Sequence, residues 1–497
     1  MASANLSGWI ERHARFAPDA LAVQFEGESI RYADLACRIR CAAAVLADRG
    51  VGRGDTVAYL GLNHPAMVVL LFACARLGAM FLPMNWRLSP PEHARVLADC
   101  RPRLLFVEPA FSGHVGTVDD AILTANIAVL EEDVGGSVEP AGDDETPLLL
   151  CYTSGSTGAP KGVVLTQQAL FWNAVNSAHM HDLTSADRIL TTLPLFHVGG
   201  LNILTTPALH SGASVVLHPK FDPVATLDAI ERERITLTVL VPAQLNAMMA
   251  LPRWKSADLS SLRVISTGST IVSEAFVRKV SERGIPMIPV YGSTETCPIA
   301  AYVRTADALR KAGSTGLPAL HCDLKIVDND GAELPPGQDG EILVRGPNVM
   351  IGYWNAPDET AQSFLDGWYR SGDLGHFDED GYLHVVSRKN DMIISGGENV
   401  YPAEVEAVLL ECHEIEAACV FGLPEPRWGE AVTAAVVLKP GCSLSEADVT
   451  AMLKGRIARY KFPRAVHFLD ELPRNALGKV HKETLRTSLR ALEPEKS

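Results

Sequence analysis

Short apolar runs alternate with segments of helical spacing along the first part of the chain, and this alternation restricts the fold more than any other feature. Leu21–Phe25, Thr56–Leu60, Phe81–Met84 and Leu104–Val107 read as strands. Ser7–Arg15 reads as an amphipathic helix, and Tyr32–Arg49 carries its apolar residues at helical spacing. The apolar stretch Ala66–Ala75 stops at Arg76, short of the ~20 residues that span a bilayer, and reads as a core helix. Strands that alternate with helices in this way build parallel sheets covered by helices. The rhythm continues in helices over Gln167–His179 and Val224–Arg234 and in strands over Leu237–Val241 and Val264–Ser266, and Pro194 is expected to end another strand.

From Gly313 to Val386 the texture changes. Short β-rich runs (Cys322–Val327, Gly340–Arg345, Tyr382–Val386) alternate with turns such as Asn329-Asp330-Gly331, which predicts a small β-barrel or meander. Ser387–Asp391 is a polar break that reads as a linker. The segment beyond it is long enough to bury a small α+β core of its own, with Pro402 in the first turn of a helix that runs to Glu411.

A chain of 497 residues is too long for one hydrophobic core, so two or more domains are expected. The formal net charge of −15 argues against general nucleic-acid binding, which needs a basic face. It leaves anionic substrates open, because a local cluster of Lys and Arg dominates its own cleft. The ten cysteines include no CxxC pair, and Cys37 and Cys41, at helical spacing, read as thiols packed in a core. This usage fits a reducing compartment and predicts a cytoplasmic protein without a transmembrane segment. Met1–Glu11 lacks the pattern of a signal peptide, and the final Pro-Glu-Lys-Ser carries no organelle address.

The chemistry concentrates in Tyr152-Thr153-Ser154-Gly155-Ser156-Thr157-Gly158-Ala159-Pro160-Lys161-Gly162. An apolar strand, Leu148–Tyr152, leads in, and a second, Val163–Leu165, leads out. Glycines let the backbone approach a ligand closely. Freed N–H groups, hydroxyls and the Lys161 ammonium can then converge on one anion, which suits a polyphosphate. The stretch is not a Walker loop, because Lys161 is followed by Gly162 and a strand rather than by Ser or Thr and a helix.

This stretch resembles the phosphate-binding signature of the adenylate-forming superfamily: acyl- and aryl-CoA synthetases, adenylation domains and beetle luciferases. Within it the chain is most similar to feruloyl-CoA synthetases and bacterial fatty-acyl-CoA synthetases. The resemblance implies an α/β fold with a large N-terminal domain, residues 1–387, of two stacked α/β subdomains plus a small β-barrel. A hinge at 388–391 and a small mobile α+β domain at 392–497 would follow. It implies an AMP-forming acid–CoA ligase that uses ATP, Mg2+ and coenzyme A on a fatty or aryl acid. The alternative is a stand-alone adenylation enzyme that loads a carrier protein, and CoA dependence separates the two. The partners are then small molecules, and the oligomeric state is left open, with a homodimer among the options.

The resemblance also assigns roles residue by residue. Thr153, Ser154, Gly155, Ser156, Thr157, Gly158 and Lys161 would cradle the phosphates. In Leu193-Pro194-Leu195-Phe196-His197-Val198-Gly199-Gly200, His197 would stand at the carboxylate end of the acyl pocket. Gly268 and Ser269 would lie against adenine, although Ile271 replaces a common proline. In Val290-Tyr291-Gly292-Ser293-Thr294-Glu295-Thr296, Tyr291 would stack on adenine beside Gly292, Thr294 would bond the α-phosphate and Glu295 would hold magnesium. Read without the resemblance, Thr294 and Glu295 are reasonable cap residues. Asp373 would accept hydrogen bonds from the ribose hydroxyls, as acidic residues of dinucleotide folds do, and Arg388 would reach ribose and phosphate. Asn390 stands at the pivot, where Asp or Lys is usual, and Ser387 where Gly is common. Gly396 and Gly397 would line the thiol tunnel, Trp428 would contact CoA, and Lys479 would bridge the substrate carboxylate and the α-phosphate. Asn202, Gly268 and Ile299 are candidates for the acyl pocket wall.

Overall fold

The structure is a computed structural model that describes residues 5–115, 122–132, 138–154, 160–269, 271–388, 393–395, 398–400, 402–425, 429–457, 459–474 and 480–490. Its chain divides into two compact units. One comprises residues 1–325, 343–371 and 381–383, and the other residues 326–342, 372–380 and 384–497.

The first unit carries two sheets. In the nine-stranded sheet the order is Leu317–Pro318, Ala301–Tyr302, Met287–Tyr291, Val264–Thr267, Leu237–Val239, Arg188–Thr191, Ser214–Leu217, Leu21–Phe25 and Glu28–Arg31. Every neighbouring pair from Met287–Tyr291 to Leu21–Phe25 runs parallel, and only the outer strands are antiparallel. The seven-stranded sheet has the order Gly352–Tyr353, Pro160–Thr166, Pro147–Ser154, Met80–Met84, Thr56–Leu60, Leu104–Val107 and Leu123–Ala125. The alternation of strand and helix in the sequence thus resolves as expected into parallel sheets.

Helix Pro65–Leu77 shows why the apolar stretch around Val69 belongs to a core. All 13 of its residues are buried, against helices Ser7–Phe16 and Tyr32–Asp48 and against the strand Met80–Met84. His64 Nδ1 accepts a hydrogen bond from the Ala66 amide at the start, Pro65 occupies the first turn, and Gly78 closes the helix at φ +72°. No helix among the described residues is long and apolar enough to cross a membrane.

The second unit is built on period-two alternation. The long hairpin Ile415–Glu425 and Gly429–Leu438 pairs Cys419 with Ala435 and Phe421 with Thr433. Val420, Val432, Ala434 and Val436 face one way and pack with Val405 and Leu409 of helix Pro402–Leu410 and Val449 and Leu453 of helix Glu446–Leu453. Cys419, Phe421, Ala435 and Val437 face the other way and pack with Leu485 and Leu489 of helix Lys482–Arg490. A strand buried on both faces needs apolar residues at both parities, which is what this hairpin supplies.

Among the boundaries that differ from the sequence reading, three bear on the site and its surroundings. The strand expected to end at Pro194 ends at Thr191. Beyond it the chain turns away, with the Leu193 carbonyl accepting from Asn63 Nδ2 at 3.0 Å and the Pro194 carbonyl from the His197 amide at 3.2 Å. The strand from Leu237 stops at Val239 because Val241 caps the helix Pro242–Met249, where its amide bonds the Gln244 side chain at 3.2 Å. Ser387 and Arg388, read as part of a linker, belong instead to the strand Leu383–Arg388; 389–392 lie outside the described residues.

The core also fixes a pH dependence. His181 is fully buried, with Nδ1 at 2.9 Å from the Ser177 carbonyl and Nε2 at 2.6 Å from Ser266 Oγ. A neutral ring satisfies both contacts, and burial pushes its pKa down to about 4. Burial does the same for His197 and His210. Between that value and the ordinary His range the unfolded chain binds more protons than the folded one, so stability rises with pH there and is lost as pH falls. The urea midpoint is therefore expected to drop from pH 7 to pH 5, and His181→Gln to flatten that drop. An unchanged slope in the variant removes His181 from the account.

Candidate active site

The glycine-rich stretch forms the tip of a hairpin. Its strands, Pro147–Ser154 and Pro160–Thr166, are longer than the apolar runs alone suggest, and pairing extends to Thr153 opposite Lys161 and Ser154 opposite Pro160. Thr153 Oγ1 reaches the Lys161 carbonyl at 3.5 Å, and Tyr152 Oη donates to Asp99 at 2.5 Å. Gly155, Ser156, Thr157 and Gly158 lie outside the described residues, as does the side chain of Ser154.

Gly162 admits the strand that completes this edge. A β-carbon there would meet Leu150, Trp354 and Tyr152 side-chain atoms at 2.9, 3.1 and 3.1 Å. Without one, the Gly162 carbonyl accepts the Trp354 amide at 2.7 Å, the Val164 carbonyl accepts the Ile351 amide at 3.1 Å, and Tyr353 falls opposite Val163.

The second half of the site follows the strand Met287–Tyr291. Gly292 turns the chain so tightly that a β-carbon would lie 1.7 Å from the Pro298 carbonyl oxygen. Thr294–Thr296 then form one 3-10 turn, closed by a hydrogen bond from the Ser293 amide to Thr296 Oγ1 at 2.9 Å. Asn348 Nδ2 donates to the carbonyls of Thr296 at 2.6 Å and Ile299 at 2.9 Å. Asn173 Oδ1 accepts the Ile299 amide at 3.1 Å, and the Glu295 carbonyl accepts the Met350 amide at 2.7 Å. Tyr291 is buried, while Thr294 and Glu295 are half-buried.

The two halves meet through Tyr353. Its hydroxyl donates to Glu295 Oε1 at 2.9 Å, and Lys161 Nζ lies 5.4 Å from the centre of its ring. Burial, and then the neighbouring Glu295 carboxylate, push the Tyr353 phenol above its ordinary range. Tyr369 is raised for the same leading reasons, burial first and then Glu295 and Tyr353. Both phenols therefore stay protonated at neutral pH.

The remaining sequence-predicted residues follow neighbouring strands. Thr267 pairs with Pro289, which sets Gly268 beside the carboxyl end of Met287–Tyr291. A β-carbon on Gly268 would come 3.0 Å from the Val290 carbonyl. Ser269 is exposed and adopts φ +67°, a region non-glycine residues seldom occupy. His197 follows the carboxyl end of Arg188–Thr191. Its pKa is pushed down to about 4 by burial and then by the Arg87 guanidinium, and its ring lies 4.4 Å from that of Phe196. Its Nε2 is buried with no hydrogen-bond partner among the described residues. A small cavity near this turn is lined by Leu190, Thr192, Leu193, Gly200, Leu204 and Val239. Open parallel sheets bind ligands at the carboxyl ends of their strands, and His197, Gly268 and Tyr291 follow three such ends in one sheet.

Asn202 and Ile299, the candidates for the pocket wall, are buried within a packed polar network. Asn202 Oδ1 accepts from Thr206 at 3.0 Å and its Nδ2 points at Cys297 Sγ at 3.4 Å, while its carbonyl accepts from Asn173 at 2.6 Å. In the second unit, Asp373 is 8% exposed within the strand Trp368–Phe377, and Arg388 ends the strand Leu383–Arg388. Gly396, Gly397, Trp428, Asn390 and Lys479 lie outside the described residues.

Glu295 fits a magnesium ion that arrives with a nucleotide. One carboxylate oxygen is held by Tyr353, and among the described residues no hydrogen bond occupies the other. No group of three or more His, Cys, Asp or Glu among the described residues could hold a metal alone. Magnesium suits that arrangement, since it takes one or two carboxylates plus substrate phosphates and water.

A family model described as AMP-binding enzyme matches residues 10–354. The chain is an AMP-binding enzyme. The model of the AMP-binding enzyme C-terminal domain matches residues 404–479, giving this AMP-binding enzyme a large amino-terminal and a small carboxy-terminal domain. It is 56% identical over 496 residues, 97% of each chain, to indoleacetate–CoA ligase of Aromatoleum aromaticum. It is 44% identical over 98% of its own length, and 99% of the relative's, to feruloyl-CoA synthase of an Amycolatopsis species. Among solved structures, o-succinylbenzoate CoA synthetase of Bacillus subtilis with its acyl-adenylate intermediate superposes with a TM-score of 0.89 at 34% identity, covering 96% of this chain and 97% of that one. The same synthetase has been solved with ATP and a magnesium ion (TM-score 0.86, 34% identity, covering 97% and 99%). This AMP-binding enzyme is therefore an AMP-forming acid–thiol ligase that uses ATP and CoA.

Tyr353 and Asn348, which the sequence reading did not single out, contact the turn that carries Thr294 and Glu295. One usable signal was the aromatic pair Tyr353-Trp354 after Gly352, a short strand-like run. Gly292 offers a direct test of the turn. Gly292→Ala is expected to cost about 1–3 kcal/mol of stability in urea unfolding, the range for overpacking, and to weaken ATP binding in calorimetry. Gly8→Ala, in helix Ser7–Phe16 with nothing within 4 Å, is the control expected to keep native ATP affinity and to lose no stability. Native ATP affinity in Gly292→Ala would show that the turn tolerates displacement.

Proposed function

We propose that this ligase activates an aryl-substituted acid, with an arylacetic acid such as indole-3-acetate as the first candidate, and transfers its acyl group to CoA. The observation that carries the choice of acid is the 56% identity, over nearly the full length of both chains, to an indoleacetate–CoA ligase. An aryl acyl group calls for a largely apolar pocket with few polar groups. Neutral His197, with a free Nε2, suits the polar end of such a pocket.

A carboxylate has no usable leaving group until one of its oxygens is attached to phosphorus. In the first step a carboxylate oxygen attacks the α-phosphorus of ATP, the bond to the β-phosphate bridge breaks, and pyrophosphate leaves. Two anions must meet, so the site needs fixed positive charge where charge builds. Lys161 is assigned to the outer phosphates, Thr294 to the α-phosphate, and Tyr291, Gly292, Gly268 and Ser269 to adenine. Magnesium on Glu295 would neutralise part of the triphosphate charge. Asp373 and Arg388 are assigned to the ribose, and Lys479 to the reacting centre. In the second step the CoA thiol loses its proton, its sulfur attacks the acyl carbon, and AMP leaves with the electron pair of the broken carbon–oxygen bond. Gly396, Gly397 and Trp428 are assigned to CoA, and rotation about residues 388–391 would exchange the two halves of the reaction. None of the ten cysteines forms a disulfide, which supports a cytoplasmic setting.

Thioester formation should be followed with indole-3-acetate, phenylacetate, ferulate, benzoate, octanoate and palmitate. Indole-3-acetate is expected to lead in kcat/KM, by at least about tenfold over the fatty acids, the scale on which pocket shape discriminates. Octanoate or palmitate in the lead would overturn the choice of acid. Pyrophosphate released without acyl-CoA would overturn CoA as acceptor and point to a carrier protein.

A further inference from the structure

Lys161 and Glu295 reach the site from different sheets. Lys161 stands on the hairpin of the seven-stranded sheet, and Glu295 follows a strand of the nine-stranded one. Opposite charges in such a place readily neutralise each other, yet no ion pair joins Lys161 to a carboxylate among the described residues. The Tyr353 ring takes the lysine at 5.4 Å and the Tyr353 hydroxyl takes the glutamate at 2.9 Å. The strand Gly352–Tyr353 is pinned on the hairpin side by pairing with Val163 and Val164. On the other side the Met350 amide bonds the Glu295 carbonyl at 2.7 Å. The aromatic side chain is thus fixed to both partners through backbone as well as side-chain contacts.

We propose that Tyr353 is a positioning residue for adenylate formation. Its hydroxyl orients the Glu295 carboxylate and its ring holds the Lys161 ammonium apart from that carboxylate, so that both remain available to one triphosphate. The proposal rests on the roles assigned above to Lys161 and Glu295. Lysine carries a flexible stem with substantial rotamer entropy, and an aromatic face beneath the ammonium restrains it without consuming its charge. A hydroxyl on one carboxylate oxygen leaves the other free for a hard cation.

Calorimetric titration of AMP, metal-free ATP and magnesium-ATP into the native enzyme, Tyr353→Phe, Tyr353→Leu and Glu295→Gln tests this without turnover. Tyr353→Phe keeps the ring and loses the hydroxyl. It is expected to weaken magnesium-ATP by about tenfold, the worth of one hydrogen bond to a charged group, and to leave AMP and metal-free ATP within about twofold. Tyr353→Leu loses both contacts and is expected to weaken metal-free ATP several-fold as well. Native magnesium-ATP affinity in Tyr353→Phe overturns the proposal. So does an equal loss for AMP, which would mark Tyr353 as only a packing residue. If Glu295→Gln itself leaves magnesium-ATP binding unchanged, the role assigned to Glu295 fails instead, and the two failures are distinguished.

Discussion

The turn from Tyr291 to Ala300 is held by side-chain amides, and the site depends on that support. A turn this tight cannot pair its peptide groups in a ladder, and buried peptide groups left unpaired are costly. Asn348 supplies two donors to the carbonyls of Thr296 and Ile299, and Asn173 supplies an acceptor for the Ile299 amide. These amides are themselves engaged: Cys322 Sγ lies 2.9 Å from Asn348 Oδ1, and Asn173 bonds the Asn202 carbonyl. Burial pushes the Cys322 thiol up to about 12, so it stays a neutral packing group. A hydrogen-bonded polar network in a low-dielectric interior fixes geometry in a way that apolar contacts alone do not. Here it fixes where Thr294 and Glu295 stand.

Around that turn the fold solves a problem of charge. The chain carries a net charge of −15, yet its substrates are anions. In the proposed reading the site meets this locally, with Lys161 on a hairpin and the Glu295 carboxylate assigned to a divalent cation. Neutral phenols stand beside the carboxylate. Tyr353 and Tyr369 both have their charged forms suppressed, first by burial, so neither phenol adds a charge beside Glu295. Groups that are polar but uncharged can orient a triphosphate without competing for its counter-ion.

Much of this was legible in the sequence, and for identifiable reasons. Periodicity revealed the parallel sheets, since a helix such as Pro65–Leu77 or a strand such as Thr56–Leu60 is written in consecutive residues. Gly292 and Lys161 were legible because a glycine after a strand and a lysine in a Ser/Thr/Gly loop are local signals. Tyr353 was not, because its partners lie 58 and nearly 200 positions away in the chain and nothing beside it marks the contact. The contact of Asn202 with Cys297 is equally hidden, since it spans 95 positions. Strand ends failed at Pro194 and Val241, where a turn or a helix cap claimed backbone groups that hydropathy alone would leave in the sheet.

The most direct test of this account is a crystal structure of the enzyme with a non-hydrolysable ATP analogue and magnesium. The account predicts Lys161 and Glu295 engaged with one triphosphate, the metal on the Glu295 oxygen that Tyr353 leaves free, and adenine beside Gly268 and Tyr291. A triphosphate bound away from the hairpin tip, or a metal held without Glu295, would contradict it.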